Sequence, residues 1–154
     1  MSVFFADEQD DPIDAGPLRR LAELVLDEEG FPPDTEVTLL LVDQEQIATY
    51  NGRFMHREGA TDVLAFPVQH LEPGVVPELR PGGPPLNIGD VVISPAYVRA
   101  QADAAGEVFD DELSLMVVHG LLHLLGYDHQ DDEGADLMED RERELLAKAL
   151  RIRT

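Results

Sequence analysis

The chain has no cysteine and no tryptophan, and lysine occurs once, at Lys148. Without cysteine there is no disulfide and no thiolate metal site, so any metal must be held by His, Asp or Glu. Bases are scarce altogether: 11 Lys and Arg face 32 Asp and Glu, a formal net charge of −21. That balance repels nucleic acid at long range, although salt screens the repulsion beyond about 8 Å. It reads as a solubility or salt-adaptation bias. The acids are unevenly spread: residues 7–14 carry five and no base, and residues 128–144 carry nine against Arg141 and Arg143. Neither segment is an anion-binding face. No run approaches the roughly 18 consecutive apolar residues of a membrane span. The opening MSVFFADEQD lacks the basic region and long apolar run of a signal peptide. These absences lead to the expectation of a soluble cytoplasmic protein.

What is present is enough for one core. The 154 residues are 44% hydrophobic, which suits a single domain and leaves no need for a second. Val3–Ala6 reads as a short strand. Pro17 to Glu29 forms an amphipathic helix with Leu18, Leu21, Ala22, Val25 and Leu26 on one face, stopped by Gly30-Phe31-Pro32-Pro33. VTLLLV (37–42) is β-branched and apolar, a buried strand. Asp43 caps a helix reaching about Phe54, with Gln46 as its capping-box partner. DVLAF (62–66) is a third strand, ended by Pro67. Residues 72–85 hold five prolines and three glycines and are expected to be an irregular surface loop, a lid or a plain excursion.

IGDVVI (88–93) is a fourth strand, and Ser94-Pro95 opens a helix to about Ala105. Asp110 or Asp111 is expected to cap the next helix, Glu112–Leu125, stopped by Gly126. A last amphipathic helix runs from about Asp132 to Leu150, with its acids early and Lys148 late, as the macrodipole favours. The expected fold is α+β: one domain over 1–154, a four-stranded sheet with about five helices. Helix 112–125 is apolar nearly all round and is therefore the buried central one.

That central helix carries the chemistry. Three of the five histidines fall in HGLLHLLGYDH, residues 119–129. His119 and His123 are i and i+4 and share a helix face. Gly126 tolerates the left-handed backbone of a helix exit, so His129 can turn back as a third ligand. The pattern has the H-x3-H-x2-G-x2-H spacing of metzincins, but Gly120 occupies the place of their catalytic glutamate. The metal cage is present and the peptidase base is not. Three neutral ligands leave a coordination position open, which marks a catalytic rather than a structural site, and a bound water there is acidified. Zinc, one ion per chain, is the default; nickel or copper also accept three imidazoles. Asp128 is either an orienting partner for a ligand or a turn residue. Tyr127 reads as packing, and His56 and His70 as surface residues. Asp62 and Asp90 are candidate bases only because they lie at strand ends.

HGLLHLLGYDH resembles the H-G-x-L-H-L-x-G-Y-D-H motif of the YbeY family, bacterial metal-dependent endoribonucleases of ribosomal RNA maturation. ATDVLAFP (60–67) is similar to that family's P-T-[DN]-V-L-S-F-P, and IGDVVIS (88–94) to its G-D-I-x-I-S/C segment. The resemblance covers residues 35–150. It implies a zincin-like His-bearing central helix, with His119, His123 and His129 as zinc ligands and catalytic centre. A metal-activated water would attack single-stranded RNA. The implied context is small-subunit ribosomal RNA 3′-end processing and ribosome quality control, with the ribosome or small-subunit proteins as partners and neither DNA nor membrane.

Ala60 and Ala65 stand where the family usually has Pro and Ser. Met55 stands where many members have an arginine associated with RNA contact. Arg53 and Arg57 flank Met55 but point elsewhere on a helix, so that role does not carry over; Arg53, Arg57 and Arg99 are expected to contribute to an RNA-facing patch. The other readings are a metal-dependent hydrolase of another phosphoester or amide, and a non-catalytic ribosome-associated metal module.

Overall fold

A computed structural model describes residues 2–153, with side chains as far as Arg151; Met1 and Thr154, the ends of the expected domain, lie outside the described residues. The order is β1 (Ser2–Glu8), α1 (Ala15–Glu28), β2 (Glu36–Val42), α2 (Gln44–Phe54), β3 (Val63–Pro67), β4 (Asn87–Ile93), α3 (Pro95–Ala105), α4 (Phe109–Leu124) and α5 (Asp132–Arg153). The strands form one sheet in the order β1-β2-β4-β3. β1, β2 and β4 are mutually parallel, and β3 runs antiparallel to β4 as an edge strand. Four strands and five helices in one domain match the α+β expectation.

The strand period of two sorts residues to the two sheet faces. Val37, Leu39, Leu41, Val91 and Ile93 join the large core with α1, α3, α4 and α5. Val42, Leu64 and Val92 join a smaller cluster with Ile47 of α2 on the opposite face. Both faces are therefore covered, which is why β2 and β4 are apolar throughout rather than alternating. α4 lies directly on β3 and β4. Gly120 makes that approach possible: a Cβ there would sit 2.5 Å from Val91 Cγ1 and 3.2 Å from Val63 Cγ2.

Several local expectations need correction. Asp43 does cap α2, accepting from the Gln46 backbone N–H at 2.7 Å. Gln46 does not return the bond; its side-chain amide donates to Glu8 Oε1 at 3.0 Å, so a tertiary partner won over the local box. α4 begins at Phe109, not Glu112, after Val108, which supplies no side-chain cap. Asp110, Asp111 and Glu112 lie inside its first turn, where carboxylates oppose the helix dipole without capping it. α3 follows the expected Ser94-Pro95 start, with Ser94 Oγ accepting from Tyr97 N at 3.5 Å.

Residues 68–86 contain no helix or strand. The segment is nonetheless anchored, since Leu71 and Val76 pack against the large core. The backbone of Leu71 and Glu72 presses on the exit of α4 so closely that a Cβ at Gly126 would collide with the Leu71 carbonyl.

Candidate metal centre

His119 and His123 project from the last two turns of α4, adjacent because i and i+4 share a face. The return of His129 depends on how α4 ends. Gly126 has φ +99, Gly126 N–H donates to His123 O at 3.1 Å, and Tyr127 N–H donates to Leu122 O at 3.0 Å. This pair of reversed bonds is a Schellman closure, and it turns the chain back over the helix end. Tyr127, buried beyond it, holds the turn down, and His129 follows two residues later.

The three rings meet. Their centroids are 4.6 Å apart for His119–His123, 5.0 Å for His123–His129 and 5.8 Å for His119–His129. One nitrogen from each lies within 4.8 Å of the others. Nε2 of His119 and Nε2 of His123 are 3.1 Å apart. Two imidazoles bound tetrahedrally at about 2.0–2.1 Å hold their nitrogens about 3.3–3.4 Å apart, so the pair already stands near ligand spacing. His119 and His123 are half-buried and His129 is exposed, which leaves one side of the cluster open to solvent.

Burial keeps one ring in its neutral, ligating form, and a carboxylate orients another. Burial pulls His123 down to about 4, with neighbouring His119 and His129 adding to the effect. His119 Nδ1–H donates to Glu142 Oε1 at 2.7 Å. That bond fixes the tautomer and turns the Nε2 lone pair toward His123. Glu142 is only 9% exposed and belongs to α5, on the stripe that also buries Met138 and Leu145. The sequence reading missed it. Its one signal was an acid at helical spacing between two apolar core positions.

The other expected residues divide clearly. Asp128 is exposed and hydrogen-bonds none of the rings; its charge only favours protonation of His123. The orienting position belongs to Glu142 instead. Tyr127 is a packing residue whose hydroxyl is pushed up by burial and by the carboxylate of Glu29. His56 and His70 are exposed, as expected. Asp62 Oδ1 accepts from the Val63 backbone N–H at 2.7 Å and so serves its own turn. Asp90 alternates with Val91 and therefore points to the α2 face, away from the histidines. Arg99 belongs elsewhere: it pairs with Asp11 at 3.0 Å and stacks 3.8 Å over Phe109, about 15 Å along α4 from His119 at 1.5 Å per residue. Met55 packs into the α2 cluster.

A mixed α+β sheet, a buried helix bearing two histidines, and a third returned by a glycine turn define an α+β protein with three imidazoles grouped so that they could hold a metal ion. The family match agrees: the chain corresponds to "Endoribonuclease YbeY" over residues 4–150. It is 43% identical over 148 residues to the Acidothermus cellulolyticus protein of that name, covering 96% of this chain and 86% of the other. It is 41% identical over 150 residues to that of Renibacterium salmoninarum, covering 97% and 94%. The solution structure of TM1509 from Thermotoga maritima superposes with a TM-score of 0.65 at 24% identity, covering 96% of this chain and 88% of that one, a likeness of fold. The chain belongs to the YbeY endoribonuclease family.

Proposed function

We propose that this chain, acting as one unit over 1–154, is a zinc-dependent endoribonuclease of single-stranded RNA. Its proposed setting is the cytoplasm, in small-subunit ribosomal RNA 3′-end maturation and ribosome quality control. The observation that carries the reading is the convergence of His119, His123 and His129 with His119 clamped by Glu142. In this reading the three imidazoles hold one Zn2+ per chain. When bound, such an ion supplies Lewis-acid chemistry and neutralises charge at a phosphodiester.

The chain's own residues supply the rest. Glu142 keeps the proton on His119 Nδ1 and the lone pair on Nε2. It stands behind the ring, on the side away from His123, so it orients a ligand and is not placed to take a proton from an attacking water. Gly120 cannot be the site of a lost base, because any side chain there would enter Val91. Burial of His123 keeps its ring neutral at the working pH.

One observation favours a second reading, a non-catalytic ribosome-associated metal module. No carboxylate among the described residues takes the place of the zincin glutamate, and Gly120 leaves no room to restore it. The separating experiment incubates the protein with a labelled ribosomal RNA 3′-end fragment beside His123→Ala and a chelated control. Metal-dependent cleavage absent from both controls supports the nuclease. Zinc bound without cleavage supports the module.

A further inference from the structure

Three aromatic rings gather where α2 meets the edge strand, outside the histidine cluster. Phe54 and Phe66 stand 5.6 Å apart at 77°, Tyr50 and Phe66 6.3 Å apart at 67°, and Tyr50 and Phe54 6.2 Å apart at 32°. Phe66 and Tyr50 are partly buried against the smaller core, so their positions are fixed. Phe54 is held by both yet is 54% exposed. A ring braced edge-on by neighbours while half its surface is open is a stacking platform rather than a core residue.

The charge around it sets the occupant. Residues 46–57 contain no acid in a chain of net charge −21. Arg53 and Arg57 flank Phe54 and make no ion pair among the described residues, whereas Arg99, Arg141, Arg143 and Lys148 each have a carboxylate partner. Between the two arginines His56 is the one described non-glycine residue with positive φ, +56. The nearby acids are Glu58, next in sequence to Arg57, Asp90, opposite Phe66 across the β3–β4 ladder, and Glu8, which is engaged by Gln46 one turn before Tyr50, at the end of α2 away from Phe54. The helix side of the ring is therefore the cationic one. Exposed aromatic face beside unpaired guanidinium groups is the chemistry that binds a base and its phosphates together.

Position completes the argument. β3 is an edge strand, with Leu64 and Phe66 on the α2 face and Val63 and Ala65 on the α4 face. Val63 packs against Gly120, the residue after His119. One free edge thus separates the aromatic platform from the helix that bears the histidines, and a flexible single strand can cross it. We infer that Phe54, braced by Phe66 and Tyr50 and flanked by Arg53 and Arg57, is a base-stacking subsite for single-stranded RNA. The inference rests on the endoribonuclease reading.

The test titrates a labelled single-stranded 12-mer RNA with the full chain by fluorescence anisotropy, with chelator present so that nothing is cut. Phe54→Ala and Phe54→Leu should each weaken binding about tenfold, within the range of one lost base stack, and Phe54→Trp should restore it. Arg53→Gln with Arg57→Gln should reduce the salt slope of log affinity by about 1.4, the value for two phosphate contacts on a single strand. Melting temperatures should match the parent for the exposed arginines and stay within several degrees of it for the Phe54 variants, which lose only the ring's contacts with Tyr50 and Phe66. Parental affinity in Phe54→Leu would overturn the inference, because a surface indifferent to the ring is an apolar contact for a protein. Parallel assays with the metal-loaded parent separate the two levels. If the parent cleaves RNA and Phe54→Ala binds it unchanged, the subsite alone falls. If the parent neither binds nor cleaves RNA, the nuclease reading and the subsite fall together.

Discussion

At the N-terminal end of α4, Arg99 stacks on Phe109 and is closed by Asp11, beside an apolar groove of about 740 Å³ lined by Leu18, Leu21, Phe109 and Leu113. At the C-terminal end, three imidazoles turn nitrogens toward one another, and one of them, His119, is held by the carboxylate of Glu142. The apolar groove is at the first end, and the three-imidazole cluster is at the second. A chain with 32 acids could easily have paired each of those rings with a carboxylate. Imidazole nitrogens that converge at this spacing form a group that could hold a metal ion. The contrast teaches that converging ligand atoms, and not a groove, are what nominate the candidate site.

The strongest way to break the contrast is to remove a ring. His119→Ala or His123→Ala should lower zinc from one ion per chain to under about 0.1 and abolish zinc-induced stabilisation, which is about 2.7 kcal/mol at a hundredfold excess over Kd. Elemental analysis and thermal melts read both. Gly120→Ala comes next: overpacking against Val91 and Val63 should cost about 1–3 kcal/mol in denaturant unfolding. Glu142→Gln should weaken zinc binding about 10–100-fold by competition titration, as loss of an orienting partner does, while leaving the fold intact.

Protonation attacks the same end more gently. His123 titrates near 4 in the folded chain against an ordinary 6.5, so between those values the unfolded chain holds the extra proton. Metal-free protein should therefore keep its full stability above pH 6.5 and lose on the order of 1 kcal/mol as pH falls toward 4, a figure discounted for the ring's partial exposure. Urea midpoints across that range check it. Least of all, Arg99→Gln should cost under about 1 kcal/mol, as an exposed pair does, and leave zinc binding unchanged. A zinc effect from Arg99→Gln would mean that the two ends are coupled.

Much of this was legible in the residues because the determinants are local. The spacing of His119, His123 and His129 with Gly126 between them is written within one helix and its exit. The four strands and five helices followed from apolar periodicity and from breakers such as Gly30, Pro67 and Ser94-Pro95. What escaped was decided across the fold. Glu142 reaches His119 from a different helix, and nothing near either residue announces the meeting. Gln46 looked like half of a capping box until Glu8, 38 residues away, offered an acceptor. Arg99 looked available for RNA until Asp11, 88 residues away, took it. Long polar side chains choose partners by tertiary proximity, and a single sequence does not record that choice.

The closure at Gly126 has one more consequence. Its two backbone bonds and the pressure of the Leu71 carbonyl place His129 before any ion arrives. In the proposed zinc reading, two of the ligands ride on a helix packed into the core, and the third on a turn already shut. An ion entering here orders almost nothing, so its affinity is not diluted by the entropy of folding a loop, as it is where metal and fold form together. The centre behaves as a socket rather than a rivet: emptied by a chelator, the protein should stay folded and accept the ion again.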